Sequence, residues 1–253
     1  MRNIKITIEY DGKNFPGWQS QPGKVSIQTE IEKAIHEITG EEVALIASGR
    51  TDAGVHALGQ VANFHTNTKI EISKIPYAIN SKLPNSIVVK DAVEVDERFH
   101  ARYNCKLKTY RYIINNNEFP SALNRYREFH LPYKLNYADM EKAIKYFEGE
   151  HDFKAFKSSG GNAKKTTVRT LTDCNIKKED GRIYIELTGN GFLYNMVRII
   201  SGTILDVGLG KIKADDIPEI INSGIRERAG RTLPPHGLYL VKVNYEGEDN
   251  GLI

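Results

Sequence analysis

The hydrophobic positions of the first hundred residues follow two periods. In "IKITIEY", Ile4 to Tyr10, apolar and polar residues alternate as in a strand with one buried face. From Ser26 to Thr39 the period changes, and Ile27, Ile31, Ala34, Ile35 and Ile38 return every three or four residues along one helical face. Ser26 is placed to cap this helix and Gly40 to end it. Strands at Val43 to Ala47 and Gln60 to Thr66, a short helix at Ser73 to Lys82 and a strand at Ser86 to Val95 complete the order β-α-β-β-α-β.

The second half repeats that order with insertions. The pattern predicts a strand at Lys108 to Asn115, a helix at Tyr137 to Phe147 and a strand at Val168 to Lys178. A turn at Asp180-Gly181, a strand at Arg182 to Gly189 and a helix at Tyr194 to Val207 follow. An extra helix near Lys213 to Ile221 and a strand at Gly237 to Tyr245 close it. Two such copies imply an α+β protein of two ferredoxin-like, split β-α-β halves, residues 1–101 and 102–253. Their antiparallel sheets are expected side by side, with helices on one face and a catalytic cleft on the other.

Composition narrows the class. The chain has 253 residues, 40% apolar and 26% charged, as in an ordinary globular protein, and a formal net charge of only +3. The N-terminus reads as a strand rather than a secretion signal, and no apolar run approaches the ~18 residues of a membrane span. The two cysteines, Cys105 and Cys174, form neither a C-x-x-C pair nor a disulfide framework, so the cytoplasm is the expected location.

Charge distribution says more than the sum. From Arg98 to Tyr112 the chain carries five Lys or Arg and four aromatics without an acid, and Lys154 to Arg169 carries five basic residues, again without an acid. Bases interleaved with aromatics suit phosphates and stacked nucleobases, and a chain with 32 acidic residues elsewhere makes two acid-free stretches point to nucleic acid.

Three side chains invite chemistry. Asp52 sits in "SGRTDAGVHALGQVANF" between two glycines and two strands; such an Asp ordinarily caps its own turn, although loops on rigid scaffolds also carry site residues. Arg198 is the only charge between Glu186 and Asp206, in an otherwise apolar helix. A buried arginine calls for an anionic partner, and a structural ion pair or a side chain snorkelling to solvent are the other readings. Tyr110 alternates with Thr109 and Arg111 in its strand and therefore points to the opposite face. His56, His65, His100 and His236 raise a metal reading, which no H-x-x-x-H spacing or cysteine partner supports.

Taken together, "EYDGKNFPGWQSQP", "SIQTEIEKAI", "SGRTDAGVHALGQVANF", "FHARYNCKLKTYRY", "GNGFLYNMVRIISGTILDVG" and "HGLYLVKVNY" closely resemble, nearly end to end and in order, the tRNA pseudouridine synthase A (TruA) family. The resemblance implies that Asp52 is the catalytic aspartate, that Tyr110 contacts the target uracil, that Arg198 pairs with Asp52, and that Arg50 positions the RNA. It implies a homodimer without cofactor or metal, acting on the tRNA anticodon arm at uridines 38, 39 and 40. Two other readings remain open on the residues alone. An RNA-binding protein would use the arginines but not Asp52, and a metal-dependent hydrolase would use Asp52 with the histidines.

Overall fold

The structure is a computed structural model and describes residues 1–160 and 166–246. Lys164 and Lys165, part of the second basic stretch, lie outside the described residues. By contacts the chain forms two compact units, Met1–Lys106 with Tyr239–Ile253, and Leu107–Leu238.

The first unit opens with β1 (Arg2–Tyr10), whose Ile4, Ile6, Ile8 and Tyr10 are buried in alternation. The helix α1 (Ile27–Thr39) begins where its cap was expected. Ser26 Oγ accepts from Thr29 N–H at 3.2 Å while Thr29 Oγ1 accepts from Ser26 N–H at 2.8 Å, and Gly40 closes the helix in the left-handed region at φ 74°. Next come β2 (Ile46–Ala47), β3 (His56–Thr66), α2 (Ile75–Asn80) and β4 (Ile87–Val95). The strand order is β4-β1-β3, with β2 also on β3, which is the order of a ferredoxin-like half.

On the other face of β1 and β3 stands a buried polar pair. Asn63 Nδ2 donates to Asn3 Oδ1 at 2.9 Å, and the two amides together hold the carbonyls of Asp96 and Phe99 and the N–H of Ala101. Burying two amides costs free energy unless their bonds are made, and here a crossing segment makes them.

The second unit contains β5 (Leu107–Asn115), β6 (Phe129–His130), α3 (Tyr137–Lys145), β7 (Gly149–Asp152), β8 (Val168–Glu179), β9 (Arg182–Gly189), α4 (Met196–Gly208) and α5 (Ile217–Ser223). Its strands run in the order β5-β9-β8-β7. Asp180 and Gly181, at φ 48° and 71°, form the tight hairpin that the Asp-Gly pair predicts. Every residue of α4 is buried except Arg198. The helix accepts a neighbouring segment at backbone distance. A Cβ on Gly202 would lie 1.9 Å from the Arg231 carbonyl oxygen, and one on Gly230 would lie 2.6 Å from the backbone of Thr203. Thr203 Oγ1 takes the Gly230 N–H at 2.8 Å, and Arg226 ties the carbonyls of Ala229 and Gly230.

The last strand, β10 (Leu238–Asn244), belongs to the second half in chain order. It lies parallel to β3, with Tyr239 opposite His56 and Leu240 opposite Ala57, so the sheet of the first unit is not wholly antiparallel. Three boundaries also move. The strand expected at Val43 to Ala47 shrinks to two residues, β3 starts four residues early, and α4 starts after Asn195 because that residue is left-handed at φ 61°.

Replacing an exposed helical glycine by alanine stabilises by about 1 kcal/mol. At Gly202 the sign is expected to reverse, since the new methyl group occupies the Arg231 carbonyl site. Gly202→Ala should lose about 1–3 kcal/mol in urea unfolding at an unchanged slope. A midpoint at or above that of the parent protein would show that the 229–233 segment is free to move aside.

Candidate active site

Asp52 lies in the turn between β2 and β3, half-buried, with its backbone bridged to Gly17. Backbone crowding shapes this turn. A Cβ on Gly12 would fall 1.9 Å from the Val55 carbonyl oxygen, and one on Gly17, at φ +113°, would fall 2.7 Å from the Thr51 carbonyl oxygen. Neither position has room for a side chain, and the second also needs the backbone freedom of glycine.

Hydrogen bonds fix the turn further. Trp18 N–H donates to Thr51 O at 3.1 Å, and the Tyr10 hydroxyl meets Thr51 Oγ1 at 2.7 Å. Tyr10 is buried and tilted against Trp18, with ring centroids 6.0 Å apart. Burial pushes its phenol well above the ordinary range, so the hydroxyl keeps its proton. Gln60, fully buried, accepts from Ser48 Oγ at 2.7 Å and donates to Gly49 O at 2.9 Å. Arg50 projects from the same turn, exposed, and among the described residues it has no hydrogen bond or ion pair.

Two of the histidines are occupied locally. His56 Nδ1 accepts the Gly12 N–H at 3.1 Å and lies 3.2 Å from Asp11, while its ring stacks on Tyr239 at 4.8 Å. His100 Nδ1 accepts from the N–H groups of Arg102 and Tyr103. Among the described residues, no three His, Cys, Asp or Glu side chains are grouped so as to hold a metal ion.

In the second unit, β5 sets Tyr110, Tyr112 and Ile114 on one face, opposite Leu187, Ile185 and Ile183 of β9. Thr109 and Arg111 take the other face, where Thr109 Oγ1 meets Thr188 Oγ1 at 2.9 Å and Arg111 pairs with Glu186 at 2.5 Å. The alternation is as the sequence implies, with Tyr110 on the face that carries Tyr112 and Ile114. Tyr110 is 9% exposed, and its ring packs edge-on with Phe192 at 5.0 Å between centroids.

Arg198 leaves the buried face of α4 in the first turn. Its Nε donates to Leu233 O at 2.6 Å and its Nη1 to Asn195 Oδ1 at 2.7 Å. Asn195 Nδ2 in turn donates to Ser158 Oγ at 3.0 Å. Nearby, burial raises the pKa of the Tyr112 phenol, and the charges of Arg198 and Arg231 oppose that rise. The loop between β9 and α4 thus supports two predicted site residues, Tyr110 through Phe192 and Arg198 through Asn195.

Several supports carry no signal in the sequence pattern: Tyr10, Gly12, Gly17, Thr51 and Gln60 around Asp52, and Phe192 around Tyr110. The one local signal was Asn195 itself, since asparagine is among the few residues that tolerate the left-handed region.

Comparison with known proteins adds identity to this geometry. The profile of the tRNA pseudouridine synthase family matches residues 6–104 and 143–246. The tRNA pseudouridine synthase A of Acetivibrio thermocellus is 56% identical over 245 residues, covering 97% of this chain and all of its own length. That of Caldicellulosiruptor saccharolyticus is also 56% identical over 245 residues, with the same coverage. A protein of Clostridium perfringens called tRNA pseudouridine synthase A 2 is 52% identical over the same span and coverage. With a clamped aspartate turn and nearly full-length similarity of this order, the chain belongs to the tRNA pseudouridine synthase family, whose members convert uridine to pseudouridine in tRNA.

Proposed function

We propose that this tRNA pseudouridine synthase acts on uridines of the anticodon stem-loop and that Asp52 supplies the carboxylate on which the reaction depends. The observation that carries the reading is the turn itself. Gly12 and Gly17 press on its backbone, and Tyr10 and Gln60 hold its flanks, so the one carboxylate in the turn is presented from a fixed frame.

The chemistry explains the need for that carboxylate. The bond from ribose C1′ to uracil N1 breaks with its electron pair leaving on the base, and positive charge develops at C1′. An ionised carboxylate stabilises that charge or adds to C1′, as in glycoside hydrolysis. The detached uracil then turns and C5 bonds to C1′, after which the C5 proton departs and N1 takes up a proton, so that the product is an isomer of uridine. All heavy atoms of uridine are kept, so the reaction needs no second carboxylate to activate water and no redox cofactor.

A stacked uridine hides C1′ and N1, so it must be extruded at a cost of a few kcal/mol. In this reading Arg50, exposed in the Asp52 turn, holds the RNA open. Tyr110 contacts the uracil ring, supported by Phe192, and Arg198, held at two points, supplies a fixed cation to the site. Assembly as a homodimer, implied by the family resemblance, and a cytoplasmic location, expected from the cysteine usage and the strand-like N-terminus, belong to the same proposal.

Asp52→Asn keeps shape and removes charge. Tritium release from C5-labelled uridine in tRNA should fall to background while tRNA affinity stays within several-fold, and turnover near that of the parent protein would remove Asp52 from the chemistry.

Tyr10→Phe keeps the buried ring and deletes one hydroxyl. It should slow the single-turnover rate about tenfold at unchanged tRNA affinity, as should Thr51→Val, and the double variant should be no worse than either alone. Additive losses would mean that the two hydroxyls act separately.

Arg198→Lys retains the charge but cannot reach the Leu233 carbonyl and Asn195 together in one plane. A drop of roughly tenfold or more in kcat/KM is expected. Full activity in this variant would reduce the role of Arg198 to that of a point charge.

A further inference from the structure

Arg169, at the start of β8, differs from two other partly buried arginines of its unit. Arg111 and Arg182 have carboxylate partners, Glu186 and Glu128. Arg169 is half-buried and, among the described residues, its hydrogen bonds go only to backbone carbonyls, Thr166 O at 2.8 Å and Val168 O at 2.5 Å. The acids of the neighbouring strand do not compensate it. His151 lies opposite Arg169, whereas Glu150 and Asp152 lie opposite Thr170 and Val168, and the pleat sends them to the other face. Burial lowers the pKa of its guanidinium, as expected of a cation set in protein without an anion beside it.

Both carbonyl bonds are made by Nη1. A guanidinium has five N–H donors, so Nε and Nη2 keep a free edge of the kind that matches two oxygens of a phosphate. Gly191 lies against this end of the side chain, where its Cβ would be 3.4 Å from Nε. The same loop is fastened to β8 beside Arg169, because Asn190 N–H donates to Thr170 O at 3.1 Å and Asn190 Oδ1 accepts the Thr170 N–H at 3.1 Å. One residue beyond Gly191 is Phe192, which supports Tyr110.

From this placement we infer that Arg169 is a substrate-binding residue that holds a backbone phosphate of the RNA next to the nucleotide contacted by Tyr110. The inference rests on the tRNA reading above. It gives a ligand to a member of the second basic stretch that is seated in a strand.

The test is the salt dependence of tRNA binding to the full chain, for the parent protein, Arg169→Gln and Arg169→Lys, each checked for an unchanged melting midpoint. Glutamine keeps an amide that reaches the strand carbonyls and removes the charge. Loss of one phosphate contact lowers the slope of log K against log salt by about 0.7 to 0.9. Arg169→Gln should show that loss with affinity weakened about tenfold at moderate salt, and Arg169→Lys should keep the slope. An unchanged slope in Arg169→Gln, or an equal loss in Arg169→Lys, overturns the assignment. Tritium release by the parent protein is measured first. Its absence would defeat the tRNA reading itself, whereas its presence with an unchanged slope would defeat only the role given to Arg169.

Discussion

In the second unit, position 202 has no room for a methyl group because the carbonyl oxygen of Arg231 already occupies that volume. Much of the geometry around α4 follows from this contact between two stretches of backbone. With the 229–234 segment drawn onto the helix, Leu233 O comes within reach of Arg198 Nε, and Pro234 O accepts the buried Tyr112 hydroxyl at 2.8 Å. Close packing leaves few alternative positions for either side chain. The first unit uses the same device, with Gly12 against Val55 and Gly17 against Thr51. Each unit therefore shapes the surroundings of a candidate side chain, Asp52 in one and Arg198 in the other, by omitting side chains nearby.

Local rules made part of this legible. The isoleucine period of α1, its Ser26 cap and its Gly40 terminus all lie within a few residues of one another, as does the Asp180-Gly181 hairpin, and the structure repeats them. Asp52 and Arg198 stand out as candidates by chemical type, against glycine-rich and apolar surroundings, whereas the roles of Tyr110 and Arg50 rest on the family resemblance. What supports them was not legible in the same way. The Tyr10 hydroxyl reaches Thr51 across 41 positions and Arg198 reaches the Leu233 carbonyl across 35, and neither separation leaves a periodic trace. Charge logic asks for an anion beside Arg198, and says nothing of the neutral oxygens of Leu233 and Asn195 that also hold its guanidinium.

The first unit is discontinuous in the chain, and that has a consequence during synthesis. Its first 106 residues emerge well before β10, which lies along β3 at His56 and Ala57. Tyr245 also closes on this unit, donating its hydroxyl to Ala101 O at 2.7 Å across a separation of 144 residues. Until that span has been made, β3 lacks this neighbour, and an unpaired strand edge is a place where chains associate wrongly. His56, whose nitrogen receives the Gly12 amide beside the Asp52 turn, also lacks the Tyr239 ring on which it finally stacks. The nascent protein thus carries the sequence of its aspartate turn long before the ribosome supplies the strand that completes the turn's surroundings. A ribosome that stops early releases a chain with the motif intact and the frame around it unfinished.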